Sequence, residues 1–260
     1  MIQARIGSSR LPGKVLLPLA GRTLLERMIE RVRAIKSPAR IVIATTTDPE
    51  DDRIRDICDR IDVQCCSGSA TDLLDRHIQA AKNMKAEIVV KIPSDCPLID
   101  PGVIDRVLQV YSSGNYDFVS NLHPATYPDG NDVEVMSFGV LLEAWMKATL
   151  PMEREHTTPY IWERPDRFKM GNVVWETGLD YSMSHRWTID YPEDYMFVKT
   201  VYDELYSVGN PVFGLNDILE LLAEKPEVNS VNSKYAGVNW YRHHLGELKT
   251  ITGSQTKIIG

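Results

Sequence analysis

An α/β fold, with a mostly parallel sheet and helices on both of its faces, is predicted by three observations. Over the first two-thirds of the chain, short β-type runs alternate with amphipathic helical patterns, the signature of βαβ crossovers. Two helices are announced by Asp-Pro pairs, Asp48-Pro49 and Asp100-Pro101, in which the acid caps and the proline fills the first helical position. A chain of 260 residues, 43% hydrophobic and 25% charged, can bury an ample core and has no low-complexity tract.

In chain order, Thr23-x-x-Glu26 is a capping box, followed by Leu24, Leu25, Met28, Ile29, Val32 and Ile35 on one helical face. Arg40–Thr45 is a buried-strand run, and the helix opened by Asp48-Pro49 carries Ile54, Ile57 and Ile61. Asp62–Cys65 is a weak strand, Leu73, Leu74, Ile78 and Ala81 mark a helix, and Glu87–Ile92 is the clearest strand. The helix after Asp100-Pro101 buries Val103, Ile104, Val107 and Val110, and Tyr116–Ser120 is again a strand. Beyond about residue 121 the pattern changes. Tyr127-Pro128-Asp129-Gly130 is a turn, and 132–136 alternates like a half-exposed strand. Helices are expected at Phe138–Lys147, from about Met152, from Pro192 and at Asn216–Glu224, with Phe168–Trp175 and His185–Ile189 as antiparallel strands.

Net charge is −7, which argues against nucleic-acid or anionic-membrane partners. Yet residues 1–40 hold nine Lys or Arg against two acids, a basic end that suggests a local anion site. The four cysteines (58, 65, 66 and 96) lack metal-site spacing and read as reduced thiols. No run approaches the length of a membrane span and no signal peptide precedes the basic stretch, so a cytoplasmic protein is expected.

That stretch is the loop after the first strand. It combines Gly7 and Gly13, Ser8 and Ser9, and the cations Arg5, Arg10 and Lys14. Glycines let backbone N–H groups approach an anion, and converging cations hold several phosphates at once. In open parallel sheets, ligands sit beyond the carboxyl ends of strands. Asp95 follows the clearest strand and Asp190 follows Trp187-Thr188-Ile189, so two carboxylates face the cationic loop. Such a pair suits Mg²⁺ bridging to phosphates, because magnesium takes one or two carboxylates plus substrate oxygens and water. Asp95 is equally a turn former between Pro93 and Pro97, and Asp190 equally a helix cap. The P-loop is excluded, since five residues separate Gly7 from Gly13 and Val15 follows Lys14. A dinucleotide fingerprint and an Asp-x-Asp pair are missing too.

The stretch Gln3-Ala4-Arg5-x-Gly7-Ser8-Ser9-Arg10-Leu11-Pro12-Gly13-Lys14 resembles the signature loop of the sugar cytidylyltransferases, the CMP-sugar synthetases. The spore-coat polysaccharide branch is the nearer match, through Ser94–Asp100, Tyr127–Glu134 and Arg154-Glu155-His156, while Asp190-x-Pro192-Glu193-Asp194 is similar to the wider group. The resemblance implies a Rossmann-like, nucleotide-diphospho-sugar transferase-type fold with a small antiparallel extension. Residues 1–225 would form one nucleotidyltransferase domain with an insertion around 125–175, while 226–260, which lack a strong pattern, are either an arm packing on a partner or a loose tail.

The implied reaction joins CTP to an acidic sugar, of nonulosonic or 3-deoxy-octulosonic type, giving a CMP-sugar and pyrophosphate for surface polysaccharide synthesis. The resemblance assigns nucleotide binding to Ala4, Arg5, Gly7, Ser8, Ser9, Arg10, Lys14 and Asp95, and catalysis to Arg10, Lys14 and Asp95. Mg²⁺ falls to Asp95 and Asp190, and a homodimer is expected. Asp132 and Glu134, if on one strand face, could bond sugar hydroxyls, or could form a polar outer face. Arg154 could meet the substrate carboxylate, or could be a solvated helix start. His156 is read as structural. Only Met1-Ile2 precede the loop, short for a strand, so either the start lies upstream or the central strand is clipped. Two other readings stand beside this one: a glycosyltransferase using a ready-made sugar nucleotide, and a non-catalytic nucleotide-binding homologue.

Overall fold

The computed structural model describes residues 1–259. A seven-stranded sheet runs in the order β5-β4-β1-β6-β8-β7-β9. Its strands are β1 (Ile2–Gln3), β4 (Val42–Thr46), β5 (Gln64–Gly68), β6 (Ile88–Pro93), β7 (Phe118–Ser120), β8 (Glu134–Ser137) and β9 (Met170–Asn172). A small antiparallel hairpin of β2 (Pro18–Leu19) and β3 (Arg22–Thr23) stands apart from it. Strand β1 pairs in parallel with both β4 and β6, and β4 with β5. Strand β8 is antiparallel to β6 and β7, while β7 and β9 are parallel. It is therefore the one main-sheet strand, among the described residues, that runs against the rest.

The sequence-level elements recur where local signals were strong. The Thr23–Glu26 capping box opens α1 (Leu24–Arg33), and Asp100 accepts from Gly102 N at 2.7 Å at the start of α4 (Pro101–Ser113). Helix α2 (Asp52–Arg60) departs from the expectation: Asp48 makes no side-chain cap, and a 3₁₀ turn intervenes. Buried Asp51 instead takes Ile6 N at 2.8 Å and Thr46 N at 3.1 Å, tying the loop after β1 to β4. Helix α3 (Leu73–Met84) is capped by Asp72, which accepts from Asp75 N at 2.8 Å.

Side chains alternate across the sheet, so consecutive residues enter different cores. Ile92, Val119 and Val135 join a cluster with α1, α4, α8 (Pro192–Leu205) and α9 (Leu215–Glu224). Val89, Phe118 and Met136 join the opposite one, with α3, α5 (Phe138–Lys147), α6 (Pro151–His156) and α7 (Pro159–Trp162). Three expectations are corrected. The strand expected at 132–136 narrows to β8, and residues 133–136 are buried rather than half-exposed, because β8 lies inside the sheet with both faces covered. The 168–175 run narrows to β9 and pairs in parallel, because alternation carries no information on direction. Residues 185–189 form no strand: Trp187 N bonds Asp129 O at 2.7 Å and Ile189 N bonds Asp95 O at 2.8 Å, so their backbone is spent on loops.

The short β1 is held from both sides. Ile2 is fully buried, and Ala4 N extends the ladder to Ala44 O at 3.1 Å. No helix of the described residues is long and apolar enough to cross a membrane. Residues 226–259 form α10 (Pro226–Ser230) and short 3₁₀ turns that lie against the body, with Leu248 and Ile251 buried in the second core.

Helix α3 also carries a pH liability. His77 is fully buried, its Nδ1–H donates to Leu73 O at 2.8 Å, and its Nε2 has no partner among the described residues. Burial pulls its pKa down to about 3. An unfolded imidazole protonates near pH 6.5, so acid favours the unfolded chain. Stability is therefore full above that pH and falls on acidification, with His77 contributing up to about 1.4 kcal/mol per pH unit. Urea titrations from pH 7 to 5 should show a shallower decline for His77→Met than for the parent. Identical slopes would exclude His77 as the cause.

Candidate active site

Three loops meet at the carboxyl edge of the parallel strands. The first runs from β1 to Lys14, the second follows β6, and the third is the 185–190 segment. Strand order reverses between β1 and β6, so the first two loops flank the switch point where open α/β sheets bind ligands. Gly13 adopts φ 71°, a left-handed conformation that turns the first loop back, and Gly13 N bonds Ile6 O at 2.9 Å. The turn aims Lys14 inward, leaving it 8% exposed.

Lys14 Nζ lies 3.0 Å from Asp95 Oδ2, 3.1 Å from Asp190 Oδ1 and 2.6 Å from Ile189 O. Arg10 Nη2 reaches Asp190 Oδ1 at 2.7 Å. The four expected site residues thus form one cluster. Burial alone would lower the Lys14 pKa, but Asp95 and Asp190 hold it above the usual lysine range. Burial likewise opposes ionisation of Asp190, yet Lys14 and Arg10 keep its pKa below the carboxylate norm. Two cations thus face two carboxylates, so the cluster carries no formal net charge. Among the described residues no cluster of three or more His, Cys, Asp or Glu side chains forms a ready-made metal cage. Two hard carboxylate oxygens fit Mg²⁺, which fills its remaining positions with water and phosphate oxygens.

Elsewhere in the loop, Arg5 Nη1 donates to Ala70 O at 3.2 Å, in the turn after β5. Ala4 is buried as the last ladder residue, while Gly7 and Ser9 are exposed and Ser8 half-buried. Much of the basic surplus of residues 1–40 proves structural. Arg31 is fully buried, donating to Ile99 O at 2.8 Å and Phe213 O at 2.9 Å, and Arg27 bonds Leu19 O at 3.2 Å.

The proposed substrate-side residues separate. Asp132 and Glu134 line a cavity of about 220 Å³ that also reaches Arg10, Asp95 and Asp190. Glu134 is ion-paired with Lys91 and accepts from Thr158 Oγ1 at 2.5 Å, so it is 3% exposed and anchored. Asp132 is freer. Burial and nearby Asp95 push its pKa up to about 6. Arg154 is not in the cavity: its Nε donates to Asp72 Oδ2 at 2.8 Å and its Nη1 to Trp145 O at 2.7 Å. The capping carboxylate of α3 has captured it. His156 stacks on Trp240, with centroids 3.7 Å apart, and lines the same cavity.

Sequence reasoning missed three features. Arg186 is 2% exposed and bonds Asp194 Oδ1 at 3.0 Å, Asp190 Oδ2 at 3.2 Å and Asp129 Oδ2 at 3.3 Å. It braces Asp190 from behind. Arg76 is 4% exposed and makes no hydrogen bond or ion pair among the described residues, with Nε buried and unpartnered. Burial and nearby Arg5 pull its pKa down to about 10. Gly68 permits this placement, since a Cβ there would stand 3.1 Å from Arg76 Cγ. The third feature is Asn239-Trp240-Tyr241, which lines the cavity from a segment without sequence pattern.

With this geometry in hand, comparison with known proteins is informative. The family described as "Cytidylyltransferase" matches residues 1–221. The spore coat polysaccharide biosynthesis protein SpsF of Bacillus subtilis is 29% identical over 232 residues, covering 87% of this chain and 94% of that one. A 3-deoxy-manno-octulosonate cytidylyltransferase of Hydrogenovibrio crunogenus is 27% identical over 141 residues, covering 52% of this chain and 55% of its own. The solved structure of a cytidylyltransferase from Leptospira borgpetersenii superposes with a TM-score of 0.82 at 33% identity, covering 87% of this chain and 94% of that one. The match places the chain among nucleotidyltransferases rather than glycosyltransferases. The model match spans most of the chain that carries the cationic loop and its two facing carboxylates, and the chain belongs to the cytidylyltransferase family.

Proposed function

We propose that this chain condenses CTP with an acidic sugar, of nonulosonic or 3-deoxy-octulosonic type, releasing pyrophosphate and forming a CMP-sugar for a surface polysaccharide. The single observation that carries the reading is the four-residue cluster of Arg10, Lys14, Asp95 and Asp190. The names of relatives that act on 3-deoxy-manno-octulosonate support the octulosonic part of that class. In the proposed reaction a sugar hydroxyl attacks the α-phosphorus and loses its proton to solvent, the new P–O bond forms, and the bond to pyrophosphate breaks. Transfer of this kind rests on positioning and charge stabilisation.

Asp95 and Asp190 would hold Mg²⁺, which when bound offsets charge on the phosphate oxygens. Lys14 and Arg10 would turn from these carboxylates to the triphosphate and steady the departing pyrophosphate. Arg5 and Arg76 flank the turn after β5 and would meet the nucleotide, with the N–H groups around Gly7, Ser8 and Ser9 beside it. Because the cluster is neutral by itself, a triphosphate gains little from it without a divalent cation. Asp132 supplies a carboxylate to the acceptor cavity. Arg154 would have to leave Asp72 and Trp145 O to reach the acid, so this reading gives it no part in holding the sugar.

The test is calorimetry of CTP with Mg²⁺ and with chelator, followed by pyrophosphate assays over a panel of sugar acids. Binding is expected with Mg²⁺, at least about tenfold weaker in chelator, and pyrophosphate should appear with at least one acid. Arg76→Met should weaken CTP by about tenfold while leaving the melting temperature within a few degrees, since no native partner is lost. No heat with CTP and Mg²⁺ would sink the proposal.

A further inference from the structure

Residues beyond the matched family region close the cavity that holds the charged cluster. Val238 O accepts from Arg186 Nη1 at 2.6 Å, and Asn232 Nδ2 donates to Asp194 Oδ1 at 2.9 Å. Both bonds fasten the arm to the arginine and carboxylate that support Asp190. Farther along, Glu163 takes Lys249 N at 2.6 Å and Thr250 N at 2.9 Å, anchoring the arm on the side of α7.

Between these anchors the chain makes a 3₁₀ turn, Trp240–His243. Trp240 lies flat on His156 of α6, 3.7 Å away at 14°. Tyr241 N is tied to Asn239 Oδ1 at 3.1 Å, and the Tyr241 hydroxyl has no hydrogen-bond partner among the described residues. Trp240 and Tyr241 line the same cavity as Arg10, Asp95, Asp132 and Asp190. An indole and a phenol from the arm therefore share one cavity with the proposed phosphate chemistry.

We propose that Trp240 and Tyr241 of this arm form the wall of the acceptor subsite and set which sugar is accepted. The inference rests on the cytidylyltransferase reading above and deepens it. The apolar C–H surface of a sugar ring packs on an indole, and the phenol donates to or accepts from a ring or side-chain hydroxyl. The nucleotide side, built from the β1 loop and the turn after β5, is left untouched.

The experiment measures pyrophosphate release by the full chain and by Trp240→Ala and Tyr241→Phe, varying acceptor and CTP separately. The acceptor KM should rise about tenfold in the first variant and severalfold in the second, with CTP KM and kcat within about twofold. A preference between two accepted sugars that shifts in Trp240→Ala would show selectivity as well as affinity. Tyr241→Phe removes a single oxygen and keeps the test decisive if Trp240→Ala fails to fold. Parent turnover with unchanged acceptor KM in the folded variants overturns the arm proposal alone, as does a parallel rise in both KM values. Absence of parent turnover with any sugar overturns the underlying reading, and this proposal with it.

Discussion

Asp95→Asn is expected to lower pyrophosphate release from CTP by about 10²–10³-fold, and Asp190→Asn by as much or more. Each change keeps the side chain's shape and removes one of the two negative oxygens that converge on Lys14. The effects should separate in stability. The Asp95 side chain is 28% exposed, and its loss leaves Lys14 paired with Asp190, so melting should move little. Asp190 faces Arg10, Lys14 and Arg186 together, and its neutralisation leaves three cations short of a counter-charge. The check pairs a steady-state assay with a melting curve on each variant. A folded Asp95→Asn protein with parental turnover would remove this carboxylate from the chemistry.

Arg186→Met should be the most destabilising single change, costing about 3–5 kcal/mol. The side chain is buried and faces Asp129, Asp190 and Asp194, so its removal strands three carboxylates with little water to solvate them. For a chain of this size the melting temperature should fall by roughly 6–20 °C. Turnover should fall too, because Asp190 loses its brace and Val238 O its donor. A loss under about 1 kcal/mol would mean that the buried acids take up protons instead. Burial already pushes the Asp129 pKa well up, against the pull of Arg186.

The elements legible in the sequence were those fixed by neighbours in the chain. Thr23 with Glu26 and Asp100 with Pro101 declare helix starts within a few residues, and β4 and β6 declare themselves by short runs rich in Val and Ile. The cluster of Arg10, Lys14, Asp95 and Asp190 was also legible, because residues at strand ends share one edge of a parallel sheet. What stayed hidden depends on pairing across long separations. Arg154 meets Asp72 and Glu134 meets Lys91, and neither capture leaves a local trace. Residues 185–189 have strand-like composition, but loops rather than a ladder take their backbone groups. Arg76 could have been suspected from its place one helical turn past the Asp72 cap, facing Gly68. The aromatic pair of the arm had no comparable signal.

The single reversed strand also bears on how such a chain can diversify. Strands β5, β4, β1 and β6 form a parallel block that carries the cationic loop and Asp95. Strand β8 joins that block to β7 and β9 by antiparallel pairing, so the second block need not share its crossover geometry. Loops and the C-terminal segment on that side can lengthen, shorten or exchange aromatics without disturbing the register of the first block. On the proposed reading, the first block can then stay fixed while the second changes, and a new sugar would need edits only outside residues 1–14.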